Sequence, residues 1–245
     1  MQNKMKQELS VADRVNLAAK TGCSPDDLAL IVEVKGEFPV PYSPCFLAAF
    51  NVRDFELLVR TNSEDCEPLE VTTCEVHLML TSQMRDLLAE SDNHSAPLYA
   101  AVRDLFDGRT LNPHIKSLYG RIRNRNILLI DGLCVKKEYR SMGIGTLLVE
   151  SIQTLAVGLA GLLVAVPYLM EFPPPKLCST EEERASYEAA YDRDLQKVNR
   201  LFVRSGFRAI NDDTMTYSME LAEQPSIEGA RKVRAWFEEL AENNS

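Results

Sequence analysis

The stretch from Ile127 to Leu159 constrains the fold more than any other part of the chain. Ile127 to Val135 is an apolar run of Ile, Leu and Val bounded by polar residues, which predicts a buried strand. Thr146 to Leu159 predicts a helix. Leu148, Ile152, Leu155 and Leu159 recur at i, i+4, i+7 and i+11, while Glu150, Gln153 and Thr154 fall off that face. Between the two lie Arg140, Gly143 and Gly145, in the pattern Arg-x-x-Gly-x-Gly. A strand that turns through glycines into a helix gathers backbone N–H groups that have no intrahelical partner. With the positive end of the helix dipole, those donors suit an anion, and glycine lets a phosphate approach because no Cβ intrudes. Two other phosphate motifs fail here. Gly145 is followed by Thr146 and Leu147 rather than the lysine of a P-loop, and Leu148 stands where a dinucleotide fingerprint needs its third glycine.

The segments on either side extend this unit. Gly161 to Leu169 reads as a second buried strand, and the three prolines of "EFPPPKLCST" mark a loop. Thr180 and Glu183 predict a capping box for a long helix through Arg204, with Tyr191, Leu195, Val198 and Phe202 inward and Ser205-Gly206 as its stop. Phe207 to Ile210 and Thr214 to Leu221 suggest a closing hairpin. Earlier in the chain, helices are expected at Ser10 to Lys20 and Ala96 to Phe106. Strands are expected at Phe46 to Val52, Phe55 to Arg60 and Val71 to Leu80. "SPDDLALIVEVKGEF" opens like a helix, yet its later residues suit a strand equally well. The expected organisation is a helical extension over residues 1–40, a main α/β (α+β) domain over 41–223, and an amphipathic helix within 224–245. That last helix carries the only Trp, Trp236, and is expected to pack back or to join two copies.

Charge is unevenly spread. The net charge is -9, but Arg109 to Arg140 holds eight basic residues and two acids, whereas Arg53 to Asp92 holds ten acids and three arginines. The basic segment suits an anionic ligand and the acidic one a cationic partner, although both patterns also suit plain solvated faces. No apolar run is long enough to span a bilayer, and the N-terminus is too polar for a secretory signal. Six cysteines without a CxxC pair fit free thiols, so a cytoplasmic protein is expected, with neither a membrane partner nor a metal.

"LCVKKEYRSMGIGTLLVES" resembles the pyrophosphate-binding strand–turn–helix of the GNAT family of acyl-CoA-dependent N-acetyltransferases, and "LFVRSGFRAI" resembles that family's closing segment. The likeness covers about Ile127 to Leu221. It implies a central mixed sheet splayed into a V, flanked by helices, and an acetyl-CoA co-substrate. By that likeness the turn Arg140, Ser141, Met142, Gly143, Ile144, Gly145 and Thr146 would cradle the pyrophosphate. Leu133, Cys134 and Val135 would run beside the pantetheine arm, with the Val135 N–H polarising the thioester carbonyl. The implied function is transfer of an acetyl group to a primary amine by direct attack. The alternatives are a CoA-binding regulator that has lost catalysis, or acetylation of a charged tRNA.

Two departures bear on mechanism. Phe202 stands where the family often has a Tyr that protonates the leaving thiolate, and Leu195 stands where a helical Asn is common. Tyr191 and Tyr168 are the replacement phenols, although each reads first as a packed aromatic. Asp131 is the first candidate for a base. A carboxylate inside an apolar strand needs a reason, and two-residue alternation places it on the face of Leu133 and Val135. Pairing with Arg123 or Arg125 would serve equally. Glu75 is second, and His77, His94 and His114 read as isolated structural residues. Cys134 reads as core on the opposite face. Arg121, Arg123 and Arg125 would share a face if extended, forming a solvated surface or reaching the 3′-phosphate of CoA or an RNA. The acidic remainder disfavours extended nucleic-acid contact.

Overall fold

A computed structural model of the chain describes residues 3–7, 16–20, 29–36, 52–62, 69–169, 180–212 and 214–219. Among these, helices pack on a mixed sheet of eight strands that does not close into a barrel. The strands are β1 (Asn3–Gln7), β2 (Ala29–Gly36), β3 (Val52–Asn62), β4 (Glu70–Met79), β7 (Ile127–Val135), β8 (Leu162–Ala165), β9 (Arg208–Ala209) and β10 (Met215–Ser218). They lie in the order β1-β2-β3-β4-β7-β8-β10-β9. Every neighbouring pair is antiparallel except β7 and β8. A parallel pair needs a crossover, and helix α5 (Ile144–Ala156) provides it. A small hairpin, β5 (Phe106–Asp107) with β6 (Thr110–Leu111), stands apart from the sheet.

Alternation along β7 builds two cores. Leu128 and Ile130 join a cluster with Leu148, Ile152 and Leu155 of α5, with Phe202 of α6 (Glu181–Arg204), and with Leu17 and Ala18 of α1 (residues 16–20). Ile127 and Leu129 face the other way. They meet Leu98, Val102 and Leu105 of α3 (Ala96–Leu105), Leu87 of α2 (Leu87–Asp92), and Ile115 and Tyr119 of α4 (Pro113–Tyr119). Both faces being covered explains why β7 reads as a continuous apolar run.

Gly132 interrupts that alternation. Its φ is 66°, and the β4–β7 register slips there, from Glu75 opposite Asp131 to Thr73 opposite Cys134. A glycine with positive φ and one extra residue on a strand make a β-bulge. Past the bulge, Leu133 and Val135 pack against the α5–α6 core, the side of Leu128 and Ile130. Asp131 keeps the phase of Ile127 and Leu129, so it lies on the opposite face from Leu133 and Val135. The shared face expected from strict alternation is therefore wrong, because the bulge shifts the phase by one.

Elsewhere the expected capping box forms. Thr180 Oγ1 accepts from the Glu183 N–H at 3.1 Å, and Glu183 Oε2 accepts from the Thr180 N–H at 3.2 Å. The expectation of a helical extension over residues 1–40 is corrected. Among the described residues of that segment, helix occurs at 16–20, while β1 pairs with β2 and β2 with β3, so its described strands extend the sheet. The physical reason is visible in "ALIVEVKG", whose β-branched alternation outweighs the helix-start signal before it. The strand expected from Phe55 joins Val52 in one longer strand, β3, and the second core strand is shorter than expected. The helix expected at residues 227–240, the capping signal at 24–25 and the run 46–51 lie outside the described residues.

Candidate functional site

β7 outruns its parallel neighbour. The register between them ends at Ile130 opposite Ala165, and β7 continues for five more residues to Val135. Pro167 follows two residues after the last pair and has no N–H to offer a ladder. The β8-facing edge of Asp131 to Val135 is thereby left open. The Lys136 N–H bonds Val71 O of β4 at 3.1 Å, so alternation of backbone direction turns the polar groups of Val135 to that open edge. There Val135 O accepts Arg140 Nε at 2.9 Å, while the Val135 N–H points the same way.

A cavity of about 550 Å³ occupies this edge. Of the expected cofactor residues, Leu133, Cys134, Val135, Arg140, Ser141, Gly143, Ile144, Gly145 and Thr146 line it. Met142 does not; it is buried in the α5–α6 core and anchors the turn from below. Cys134 is half-buried and lines the cavity, so its reading as core is corrected. The floor is the start of α5. Its N-cap is Gly143, in the left-handed region at φ 73°, with no side chain to satisfy the first-turn N–H groups. Ser141 is left-handed too, at φ 63°, the one such non-glycine among the described residues. A serine held there costs about 1–2 kcal/mol, which marks the turn as over-determined by its surroundings. Gly145 also packs closely on α6: a Cβ would come within 3.1 Å of Leu201 Cδ2. Arg140, Lys197 and Arg204 supply positive charge to the walls, and Asp194, bonded to Lys197 at 2.6 Å, the one carboxylate among the described lining residues. Lys20 of α1 donates to Glu138 O, bracing the turn from outside.

Asp131 stands where β7 leaves β8. It is 6% exposed. Tyr168, which lines the cavity, donates to its Oδ1 at 2.8 Å, and His77 Nε2 lies 3.4 Å from its Oδ2. Burial alone would raise the carboxyl. Hydrogen bonds from His77 and Tyr168, the charge of His77 and the Gly132 N–H outweigh it and hold Asp131 below the ordinary carboxylate range. The same pairing, after burial, pushes Tyr168 well above the ordinary phenol, so it keeps its proton. The buried Cys74 thiol is also pushed far up, by burial first and then by Asp131 and Glu75, and is inert. Glu75 is exposed and sits directly opposite Asp131 in the β4–β7 register.

The remaining candidates sort by distance from this cavity. Tyr191 stacks on Tyr187 at 6.4 Å along α6 and is outside the lining. Phe202 is buried against Phe207 at 5.1 Å. His77 and His94 are not isolated, as their rings meet edge to face at 5.3 Å behind Asp131. Arg123 and Arg125 stand before the N-terminal end of β7, whereas the glycine turn follows its C-terminal end. Strand rise separates them by about 26 Å, so they do not serve the same phosphate. The Tyr168–Asp131 bond was not legible in the sequence; the nearest signal was a Tyr directly after Pro167. Compared with known proteins, the chain matches no family model, no curated protein and no solved structure, so the site rests on its own geometry.

Proposed function

We propose that the chain is an acyl-CoA-dependent N-acyltransferase of the GNAT kind, transferring an acetyl group from acetyl-CoA to a cationic primary amine. One observation carries this reading. The open edge of β7 beyond Ile130 leads into a glycine turn whose uncapped N–H groups face the same cavity. The end of β7–β8 pairing at Ile130 and Ala165 supports the V-shaped sheet that the sequence resemblance implies.

The residues fit the co-substrate. The N–H groups of the turn, with Arg140, Lys197 and Arg204 around them, suit a pyrophosphate. CoA would supply the acyl group as a thioester. The Val135 N–H is a fixed donor at the open edge, suited to an acyl oxygen as negative charge gathers on it. Asp131, held ionised, is a weak base but a firm anchor for an ammonium group. The ammonium must first give one proton to water to free its lone pair; Asp131 can then take the second, once C–N bond formation has made that nitrogen acidic. Tyr168 shares its one proton with Asp131, so it would pass a proton to the leaving thiolate only as Asp131, protonated by the acceptor nitrogen, gives it another. Glu75 beside Asp131 adds a second negative charge and favours a cationic acceptor.

The test is thiol release from acetyl-CoA across polyamines, aminoglycosides, lysine peptides and charged tRNA, with direct titration of acetyl-CoA alongside. Turnover on a cationic amine that collapses in Asp131→Asn supports the enzyme. Binding without turnover on any acceptor favours a CoA-binding regulator, a reading to which the buried Phe202 lends weight. No acetyl-CoA binding at all would remove both.

A further inference from the structure

We propose that the chain carries a second anion site, at the other end of β7, that takes a small phosphate-bearing molecule. A cavity of about 480 Å³ opens there, with Arg109, Arg123 and Arg125 in its wall and no carboxylate among the described residues that line it. Arg109 and Arg125 make no ion pair among the described residues. Each is instead tethered to a backbone carbonyl: Arg125 Nη1 to Arg109 O at 3.4 Å, and Arg109 Nη1 to Arg85 O at 3.5 Å. Guanidinium groups gathered around one hollow repel one another unless an anion joins them, and a phosphate accepts two or more of their forked donors at once.

The loop that presents Arg123 and Arg125 is clamped in place. Asn124 Nδ2 and Asn126 Nδ2 both donate to Leu159 O at 3.2 Å, and the Gly161 N–H bonds Asn126 O at 3.0 Å. Gly161 is packed so closely that a Cβ would lie 1.8 Å from Asn124 O. The arginines therefore extend from a preorganised backbone, which lowers the entropic cost of binding. Thr81 contributes a further wall residue.

The volume selects the class of ligand. A hollow of this size matches small-molecule sites, which span about 300–1,000 Å³, rather than the long basic grooves that track a nucleic-acid backbone. The acidic remainder of the chain, with net charge -9 overall, also opposes a long polyanion. Leu87 and Phe106 give the wall an apolar portion, suited to the organic part of a phosphomonoester.

The experiment is calorimetric titration of the full chain with inorganic phosphate, pyrophosphate, AMP and a single-stranded oligouridylate. Each is repeated in Arg125→Gln and Arg109→Gln, with thermal unfolding as a check that the variants fold. Saturable binding of AMP or pyrophosphate is expected, weakened about tenfold or more by each substitution, as loss of a charge-assisted bond implies. Acetyl-CoA titration should be unchanged in the same variants, which separates this site from the cavity at the glycine turn. Preference for AMP over pyrophosphate would identify an organic phosphate, and the reverse a free phosphate anion; either supports the site. Binding that both substitutions leave intact would overturn it, as would binding confined to the oligouridylate.

Discussion

The Tyr168 hydroxyl reaches Asp131 Oδ1 at 2.8 Å just beyond the point where their two segments cease to pair. The hydrogen bond bridges the gap that strand pairing leaves, joining the cavity wall to a buried carboxylate. Tyr168→Phe keeps the ring and removes only that donor. Turnover should fall by about a hundredfold, in the range of lost acid–base assistance, with acetyl-CoA affinity unchanged. Equal loss of affinity and turnover would instead mean that the ring, not the hydroxyl, matters.

Asp131 should also leave a mark on stability against pH. Its folded pKa lies below the unfolded value of about 3.9, so folding favours the ionised form. That contribution is fully present above the unfolded pKa and is lost as pH falls through the folded one. In Asp131→Asn the acid limb below about pH 4 should be shallower than in the parent chain. Urea midpoints measured by circular dichroism from neutral pH downward would show it. Parallel curves would assign the acid sensitivity elsewhere, Asp104 first, since burial there is outweighed by hydrogen bonds from Asn211, Thr214 and Arg103.

Gly143→Val tests the turn. A β-branched residue at φ 73° is strained by about 1–2 kcal/mol or more, and its side chain would crowd the first-turn N–H groups. Acetyl-CoA binding should disappear, whereas Gly143→Asn, which tolerates the left-handed region, should stay as stable as the parent within about 1 kcal/mol. Normal titration of acetyl-CoA in Gly143→Val would refute the phosphate cradle.

Gly161→Ala should be severe even though alanine is small. The obstacle is the Asn124 backbone, 1.8 Å from the new Cβ, and not a side chain that can swing away. A loss of more than about 3 kcal/mol is expected by chemical denaturation, at the exceptional end for point substitutions. A mild effect would mean that the loop before β7 yields, and that the arginines beside it are less fixed than the contacts indicate.

Thr180→Ala removes half of a reciprocal cap. Thermal unfolding should register about 1 kcal/mol. Because this end of α6 is exposed, a smaller change would show that the first turns of the helix fray without affecting the rest.

The sequence was most legible where one physical pattern dominates. The apolar run of β7 has its expected bounds, Ile127 to Val135, and the Thr180–Glu183 box forms as its spacing demands. Short elements were lost: α2 and α4 span 6 and 7 residues, too few for a helical period to emerge, and depend on Asp86 and Asn112 as caps. The face of Asp131 was misread for a different reason. Alternation assumes an unbroken ladder, and a single glycine inside "LLIDGLCV" can break it without altering composition. Tyr168 was undervalued because a hydrogen bond across a gap has no one-dimensional signature.

Parity along a strand is a two-valued label, and Gly132 inverts it. Before the glycine, odd-numbered residues belong to the side of His77 and even-numbered ones to the side of α5; after it, the assignments exchange. One continuous strand can thus present a carboxylate to one layer and, two residues later, apolar side chains to the other. Deleting Gly132 would therefore restore an unbroken ladder and leave Leu133 and Val135 facing α5. Keeping the residue but drawing it into regular pairing would instead turn Leu133 and Val135 toward the histidines and carry Cys134 into the α5–α6 core, exchanging the two compartments that the bulge keeps apart.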